Sequence, residues 1–276
     1  MFLPEYVAEC MELLERSGYA CYAVGGCVRD ACLGLTPHDY DLCTAATPEQ
    51  MERIFSHRSL VLAGEKHGTV GVVTEGGVVE ITTFRTEGSY RDSRHPDYVN
   101  FVEDIHQDLA RRDFTVNAMA YSPTRGFADP FGGREDLRNR ILRAVGDPAT
   151  RFTEDALRIL RGVRFAVRFG LTPEQKTMDA MIRLAPRMEK LAAERVFDEL
   201  CKLLPLVTAE DLLGFAPILT QAIAELAPTV GFDQRSPHHA YDVFTHTAHV
   251  VASAPSSLAL RWAALLHDIG KVDAFS

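Results

Sequence analysis

The sequence predicts an α+β protein whose N-terminal part is built on a mixed or antiparallel sheet and whose remainder is all helical. Two observations predict this. Short runs rich in β-formers, separated by turn residues, recur up to about residue 84. After about residue 140 such runs vanish, and apolar residues recur at helical spacing instead. The chain is therefore divided at 1–140, 141–205 and 206–276, the second boundary opening a stretch punctuated by Pro205, Pro217, Pro228 and Pro237.

Residues 4–17 form the first expected helix, with Val7, Cys10, Met11 and Leu14 on one stripe. Tyr19 to Val24 reads as a strand running into the Gly25-Gly26 turn, and Val28 to Leu33 as a short helix ended near Gly34. His38 to Cys43 is the next expected strand. Thr47-Pro48-Glu49 starts a helix, with threonine as cap and proline at the first helical position. Strands are expected at 59–63, 69–74 and 78–84, with Gly76-Gly77 as a hairpin turn. Sequential strands joined by a hairpin imply antiparallel pairing. Residues 85–100 are polar and punctuated by Gly and Pro, as in a loop beside a site or an ordinary surface excursion.

The candidate chemistry begins with Asp39 and Asp41. A strand has a period of two, so both carboxylates leave one face. Like charges on one face repel unless a cation sits between them. Mg²⁺ is a natural counter-charge, held by carboxylates together with a substrate's phosphates. Gly25 and Gly26 let backbone N–H groups approach such phosphates, and Arg29 adds a planar cation. These features point to a nucleoside triphosphate site for phosphoryl or nucleotidyl transfer. Either alone is as well explained by a turn or a polar strand end; both in order, within seventeen residues, favour the site.

Glu80 lies among β-formers, either as a third acid for the metal or on the solvated face of an edge strand. Arg112 and Asp113 sit in the segment Arg111–Asn117. They suit phosphate and ribose, and equally a salt-bridged helix start with Asp113 as cap.

Residues 154–167 read as one amphipathic helix. Ala156, Ile159, Leu160, Val163, Ala166 and Val167 share one side, and Glu154, Asp155, Arg158 and Arg161 lie opposite. Asp155 and Arg158, three apart, are neighbours that could form an exposed salt bridge. They could also read a base edge. Cytosine and adenine each present an amino donor beside a ring-nitrogen acceptor, which match a carboxylate and a guanidinium. Guanine and uracil place a carbonyl where the amino group should be, and a carboxylate repels it.

Composition limits the remaining classes. At 276 residues, 46% hydrophobic and 24% charged, the chain is long enough for two or three domains and is not disordered. No apolar stretch approaches a membrane span, and no basic segment followed by an apolar run opens the chain, so neither membrane association nor a secretion leader is expected. Six cysteines without a CxxC pair imply reduced, mostly buried thiols in a cytoplasmic protein rather than a zinc site. A net charge of −9 argues against an indiscriminate nucleic-acid coat, yet arginines crowd 134–168, among them Arg134, Arg138 and Arg140.

Taken in order, GGCVRD (25–30), HDYDLCT (38–44), VEITTFRTEGSYRDSRHPD (79–97), RRDFTVNAMA (111–120), DPFGG (129–133), EDALRILRGVRFAVRFGL (154–171) and ERVFDEL (194–200) resemble the class II CCA-adding tRNA nucleotidyltransferases, whose superfamily includes bacterial poly(A) polymerases. The resemblance implies a polymerase-β-like nucleotidyltransferase head over 1–140, a helical neck over 141–205 that binds RNA and nucleotide, and a helical body over 206–276. It implies addition of C, C and A to tRNA 3′ ends from CTP and ATP, with Mg²⁺ as cofactor and tRNA as partner; it names no protein partner. By the same resemblance Asp39 and Asp41 hold Mg²⁺, Gly25, Gly26, Arg29 and Arg112 contact the nucleotide, and Asp113 lies near the ribose. Asp155 and Arg158 select the base, and Arg161 and Arg164 support the triphosphate. Arg164 taken alone also reads as a solvated helix residue. The loop 85–97 is expected to affect AMP addition more than CMP addition. Partial specificity, adding only CC or only A, and poly(A) synthesis are the near alternatives.

The C-terminal segment resembles the start of an HD domain, with His246, His267 and Asp268 as possible divalent-metal ligands. His238 and His239 are expected at the surface. HD domains carry a last aspartate on a further helix, and Ser276 stands eight residues after Asp268. A shortened reading frame is therefore expected rather than a phosphohydrolase. A catalytically decayed RNA-binding protein is the other reading of a different class, opposed by the intact Asp39, Asp41, Arg112, Asp155 and Arg158.

Overall fold

A computed structural model describes residues 1–88, 99–233 and 240–274. The chain forms two compact units, 1–147 and 148–276.

The first unit opens with helix α1 (Glu5–Arg16), which buries the expected stripe of Val7, Cys10, Met11 and Leu14. Strand β1 (Cys21–Val24) leads through Gly25 into α2 (Gly26–Cys32), so the helix begins two residues earlier than the sequence suggested. β2 (Leu42–Thr44) is shorter than expected. Asp39 and Asp41 precede it on extended chain, although the Val24 N–H still donates to the Asp41 carbonyl at 3.0 Å. α3 (Pro48–Ile54) starts at a Thr47–Gln50 capping box with Pro48 at its first position.

β3 (Leu60–Val61), β4 (Thr69–Thr74) and β5 (Gly77–Thr83) follow. The β4–β5 turn falls at Glu75-Gly76, one residue earlier than expected. The reason is steric: a Cβ on Gly76 would stand 2.2 Å from Tyr6, and Gly77 takes a φ of +126°. β6 (Arg85–Glu87) and β7 (Val99–Phe101) pair as an antiparallel ribbon, so the expected loop 85–100 has ordered shoulders. Its central residues, 89–98, lie outside the described residues. α4 (Ile105–Ala110), β8 (Ala120–Ser122), β9 (Gly126–Ala128), α5 (Gly133–Arg138) and β10 (Ile141–Leu142) complete the unit. Arg140, just past α5, has a φ of +56°, a left-handed conformation that costs an L residue about 1 kcal/mol.

The sheet has seven strands in the order β3-β4-β5-β2-β1-β8-β9. It is mixed, as expected: β2 and β5 run parallel with Leu42 opposite Ile81, and the other pairs are antiparallel. Val24, Cys43, Phe84, Leu109, Ala118 and Ala120 belong to one core cluster behind the Gly25 turn. Burying such side chains stabilises each by roughly 1.5–3 kcal/mol, which makes this part of the sheet a stiff platform.

The second unit is helical: α6 (Pro148–Glu154), α7 (Leu157–Phe169), a short strand β11 (Thr172–Pro173), α8 (Gln175–Leu184), α9 (Ala193–Leu203), α10 (Ala209–Gly214), α11 (Ala216–Ala222), α12 (Val243–Ser253), α13 (Leu258–Leu266) and α14 (Lys271–Ala274). The continuous helix expected over 154–167 is broken at Asp155. The Asp155 carboxylate accepts from the Leu157 N–H at 3.0 Å and so starts a new helix. α7 packs against α9, and Gly170 ends it in the left-handed conformation. Among the described residues no helix is long and apolar enough to cross a membrane.

Candidate active site

Three carboxylates meet on the first unit. Asp39 and Asp41 stand at the entry to β2, and the parallel β2–β5 register sets Glu80 one residue before Ile81, the partner of Leu42. All three side chains are exposed on one side. Burial of the rest of its surroundings, together with the charges of Asp39 and Glu80, raises the Asp41 carboxyl above the ordinary aspartate range; the Arg112 guanidinium opposes the shift. The charges of Asp39 and Glu80 are both felt at Asp41, and the parallel β2–β5 pairing accounts for the approach of Glu80. Their arrangement is looser than 4.8 Å between all donor atoms, since the group that meets that limit among the described residues lies elsewhere. Oxygen donors with excess negative charge and an open side fit a hard divalent cation.

Gly25 adopts φ +69°, and a Cβ there would stand 2.9 Å from the Arg112 guanidinium. The glycine therefore serves two needs, the turn and the room for Arg112. Arg112 is held by Asp108, whose carboxylate accepts its Nη2 at 3.2 Å. Asp108 is fully buried and also accepts Arg111 Nε at 3.0 Å and the Arg85 N–H at 3.3 Å. Burial alone would raise the Asp108 carboxyl; Arg111 and Arg112 outweigh it and hold it below the ordinary range. Arg112 Nε is buried with no hydrogen-bond partner, which leaves a donor in the site. Burial pushes the nearby Cys27 and Cys43 thiols up to about 12, so neither supplies a nucleophile.

Arg29 is buried rather than facing solvent. Its Nε and Nη2 donate to Asp30 Oδ1 at 2.9 and 2.7 Å, and Nη1 donates to Asn117 Oδ1 at 2.6 Å. Asn117 Nδ2 in turn donates to Asp113 Oδ1 at 3.1 Å. Asp113 also accepts the Phe114 N–H at 2.8 Å. The GGCVRD and RRDFTVN segments are thus tied by one polar chain behind the Gly25 turn. Asp113 is part of that chain and does not cap a helix start.

In the second unit, Asp155 Oδ2 accepts Arg195 Nη2 at 2.8 Å, and Arg158 Nη1 donates to Glu154 Oε2 at 2.6 Å. Arg195 escaped the sequence reading although it lies in ERVFDEL. Arg161 sits 5.2 Å over the Phe165 ring. Arg164 is not a solvated helix residue. It is 7% exposed, donates to Glu199 at 2.6 Å and lies against the same ring. This placement ties α7 to α9.

His246, His267 and Asp268 gather their donor atoms within 4.8 Å. Asp268 Oδ2 lies 3.1 Å from His267 Nε2, 3.6 Å from His246 Nε2 and 2.7 Å from Lys271 Nζ. His238 and His239 lie outside the described residues.

Comparison with known proteins adds the following. Residues 21–143 match the poly A polymerase head domain family, and 170–210 match the probable RNA and SrmB-binding site of polymerase A. The chain is 44% identical over 229 residues to a CCA-adding enzyme of Streptococcus gordonii, covering 82% of this chain and 56% of that protein. It superposes with a TM-score of 0.75 and 36% identity on the Bacillus stearothermophilus CCA-adding enzyme in complex with CTP, over 98% of this chain and 64% of that one. A tRNA nucleotidyltransferase complexed with a primer tRNA and an incoming ATP analog gives 0.63 and 25%, over 82% and 64%. The chain spans about half the length of the curated relatives it matches. With a head-domain match over the whole sheet and this identity along most of its length, the chain belongs to the tRNA nucleotidyltransferase/poly(A) polymerase family.

Proposed function

We propose that this chain is an enzyme that adds C, C and A to tRNA 3′ ends, without a template, from CTP and ATP. The observation that carries the reading is the exposed acid group of Asp39, Asp41 and Glu80 beside Arg112, an arrangement suited to in-line nucleotidyl transfer. The relatives' names and their bound CTP, ATP analog and primer tRNA support the choice of substrates.

Asp39 and Asp41, with Glu80 beside them, would hold Mg²⁺, which when bound supplies charge to activate the tRNA 3′-hydroxyl and to steady the leaving pyrophosphate. The hydroxyl oxygen bonds to the α-phosphorus as the bond from that phosphorus to the α–β bridging oxygen breaks; pyrophosphate leaves and the hydroxyl proton passes to solvent. Gly25 and Gly26 let the backbone approach the triphosphate. Arg112, positioned by Asp108, supplies a guanidinium charge for the triphosphate. Arg29 and Asp113 act from behind, fixing the turn and the ribose side. Asp155 and Arg158 select the base, with Arg195 and Glu154 orienting them. The head ends with its compact unit at 147/148, seven residues past the boundary expected from the sequence, neck and body divide at 205/206, and the protein works in the cytoplasm.

The test is purified protein with Mg²⁺, a tRNA lacking its 3′ end, and each labelled nucleotide supplied separately and then together. CMP incorporation followed by AMP is expected, with UMP and GMP excluded. CMP alone, AMP alone or repeated AMP would replace full CCA addition by a CC-adding, A-adding or poly(A)-synthesising activity. No incorporation at all would overturn the enzyme reading.

A further inference from the structure

The arginines of α5 and of the turn after it remain outside the proposed chemistry. Arg134, Arg138 and Arg140 line an open pocket of about 380 Å³ together with Cys32, Leu33 and Leu137. All three arginines are exposed. In a chain of net charge −9 this is a local concentration of cations, not a reflection of the whole.

The platform beneath them is rigid. Asp129 accepts the Gly133 and Arg134 N–H groups at 2.7 and 3.0 Å. Asp136 accepts the Thr115 hydroxyl at 2.7 Å, and a Cβ on Gly133 would stand 2.2 Å from the Thr115 carbonyl. α5 is thus packed closely on the Thr115 segment and hydrogen-bonded to it. Arg134 is steadied 4.6 Å over the Phe127 ring. Arg138 pairs with Glu135, but both side chains are mostly exposed, at 70% and 59%, so the pair exchanges readily with another anion. Arg140 occupies the left-handed position after the helix, where glycine is unstrained.

The pocket's location narrows the ligand. Cys32 and Leu33 mark the far end of α2, whose near end is the Gly25-Gly26 turn. Seven residues at about 1.5 Å each separate the two by roughly 10 Å. That is about three nucleotides of a stacked strand at roughly 3.4 Å each. Guanidinium forks match phosphate oxygens in pairs, and three of them exceed what one nucleotide in the neighbouring site requires.

We propose that Arg134, Arg138 and Arg140 form a subsite for the sugar-phosphate backbone of the RNA substrate. The inference rests on the nucleotidyltransferase reading for the identity of that RNA. It is tested by anisotropy of a labelled tRNA lacking its 3′ end, between about 50 and 200 mM salt. The variants are Arg140→Gly and the triple Arg134→Ala/Arg138→Ala/Arg140→Gly. CTP binding without RNA is measured beside them, and labelled CMP incorporation by the unaltered protein. For the triple variant the slope of log affinity against log salt is expected to fall by about two to three, at about 0.9 per phosphate contact, with CTP binding unchanged. Arg140→Gly should lower the slope by about one while the protein melts no lower than the parent, because the left-handed strain is relieved. An unchanged slope, or a parent protein that does not bind the tRNA, overturns the subsite. A parallel loss of CTP binding assigns the pocket to free triphosphate and overturns it as well. Failure of the parent to incorporate CMP while the slopes change as stated would sink the enzyme reading and leave the subsite standing.

Discussion

Two groups of acid and imidazole donors in this protein differ in how their charge is met. In the first unit Asp39, Asp41 and Glu80 form a loose set of like charges, partly offset at Asp41 by the Arg112 guanidinium. In the second unit His246, His267 and Asp268 are tighter, but a single carboxylate is answered by Lys271 at 2.7 Å. Proximity of donors would favour the second group as a metal centre. Charge balance favours the first. Carboxylates that outnumber their cations gain most from an external cation, whereas an Asp268–Lys271 pair already has its counter-charge. Ligand spacing and charge balance therefore rank the two groups in opposite orders.

The comparison breaks most visibly at the acids. Asp39→Ala or Asp41→Ala is expected to reduce incorporation of both CMP and AMP by at least about a hundredfold, as removal of a main electrostatic stabiliser does. Near-normal turnover in single-turnover assays of either folded variant would remove the metal assignment.

Next in size is the cation side. Asp108→Asn leaves Arg111 and Arg112 without their buried partner and should cost about 3–5 kcal/mol of stability. The Asp108 carboxyl is lower in the folded protein than its ordinary value of 3.8, so its contribution is present above that value and is lost as pH falls through the lower folded one. Urea unfolding at neutral pH and near pH 3 should show the variant's deficit shrinking on the acid side. A deficit independent of pH would contradict the ion-pair account.

Asp155→Ala sharpens the base-reading assignment. Losing a hydrogen bond to a charged group costs roughly 1.5–3 kcal/mol, so discrimination against UTP and GTP should relax more than tenfold. Arg195→Ala, which leaves the carboxylate but removes its 2.8 Å partner, should relax it less. Identical preference for all four triphosphates in both variants and the parent would make this junction structural.

At the small end, His267→Ala should leave nucleotide incorporation within about twofold, since the proposed transfer uses nothing there. Lys271→Ala should instead raise the affinity of the His246–His267–Asp268 group for divalent metal, read by calorimetry with Zn²⁺. Unchanged affinity would show that the lysine is not what answers Asp268.

What the sequence disclosed about these sites follows the range of each interaction. Asp39 and Asp41 are two apart, so their shared face is legible from local period alone. Glu80 stayed ambiguous because its approach depends on the parallel pairing of β2 with β5, which no local pattern encodes. The double duty of Gly25 depends on Arg112, eighty-seven residues on. Asp108 was passed over because an acid three and four residues before arginines reads as a surface helix pair, and only the fold buries it completely. The break at Asp155 left no mark in the periodicity, since the apolar stripe runs through it; there the carboxylate accepts both the Leu157 N–H and Arg195 from another helix. Sheet class, the first helix and the α3 cap were legible because propensity and pattern act within a few residues.

The central claim is that the first-unit acids, and not the histidine group, hold the catalytic divalent cation. Mn²⁺ binding, followed by loss of the free-ion electron paramagnetic resonance signal, compares the parent with Asp39→Ala/Asp41→Ala and with His267→Ala/Asp268→Ala. The account expects the first double variant to lose the tightest site and the second to keep it. Retention of that site without Asp39 and Asp41, or its loss without His267 and Asp268, would contradict the account.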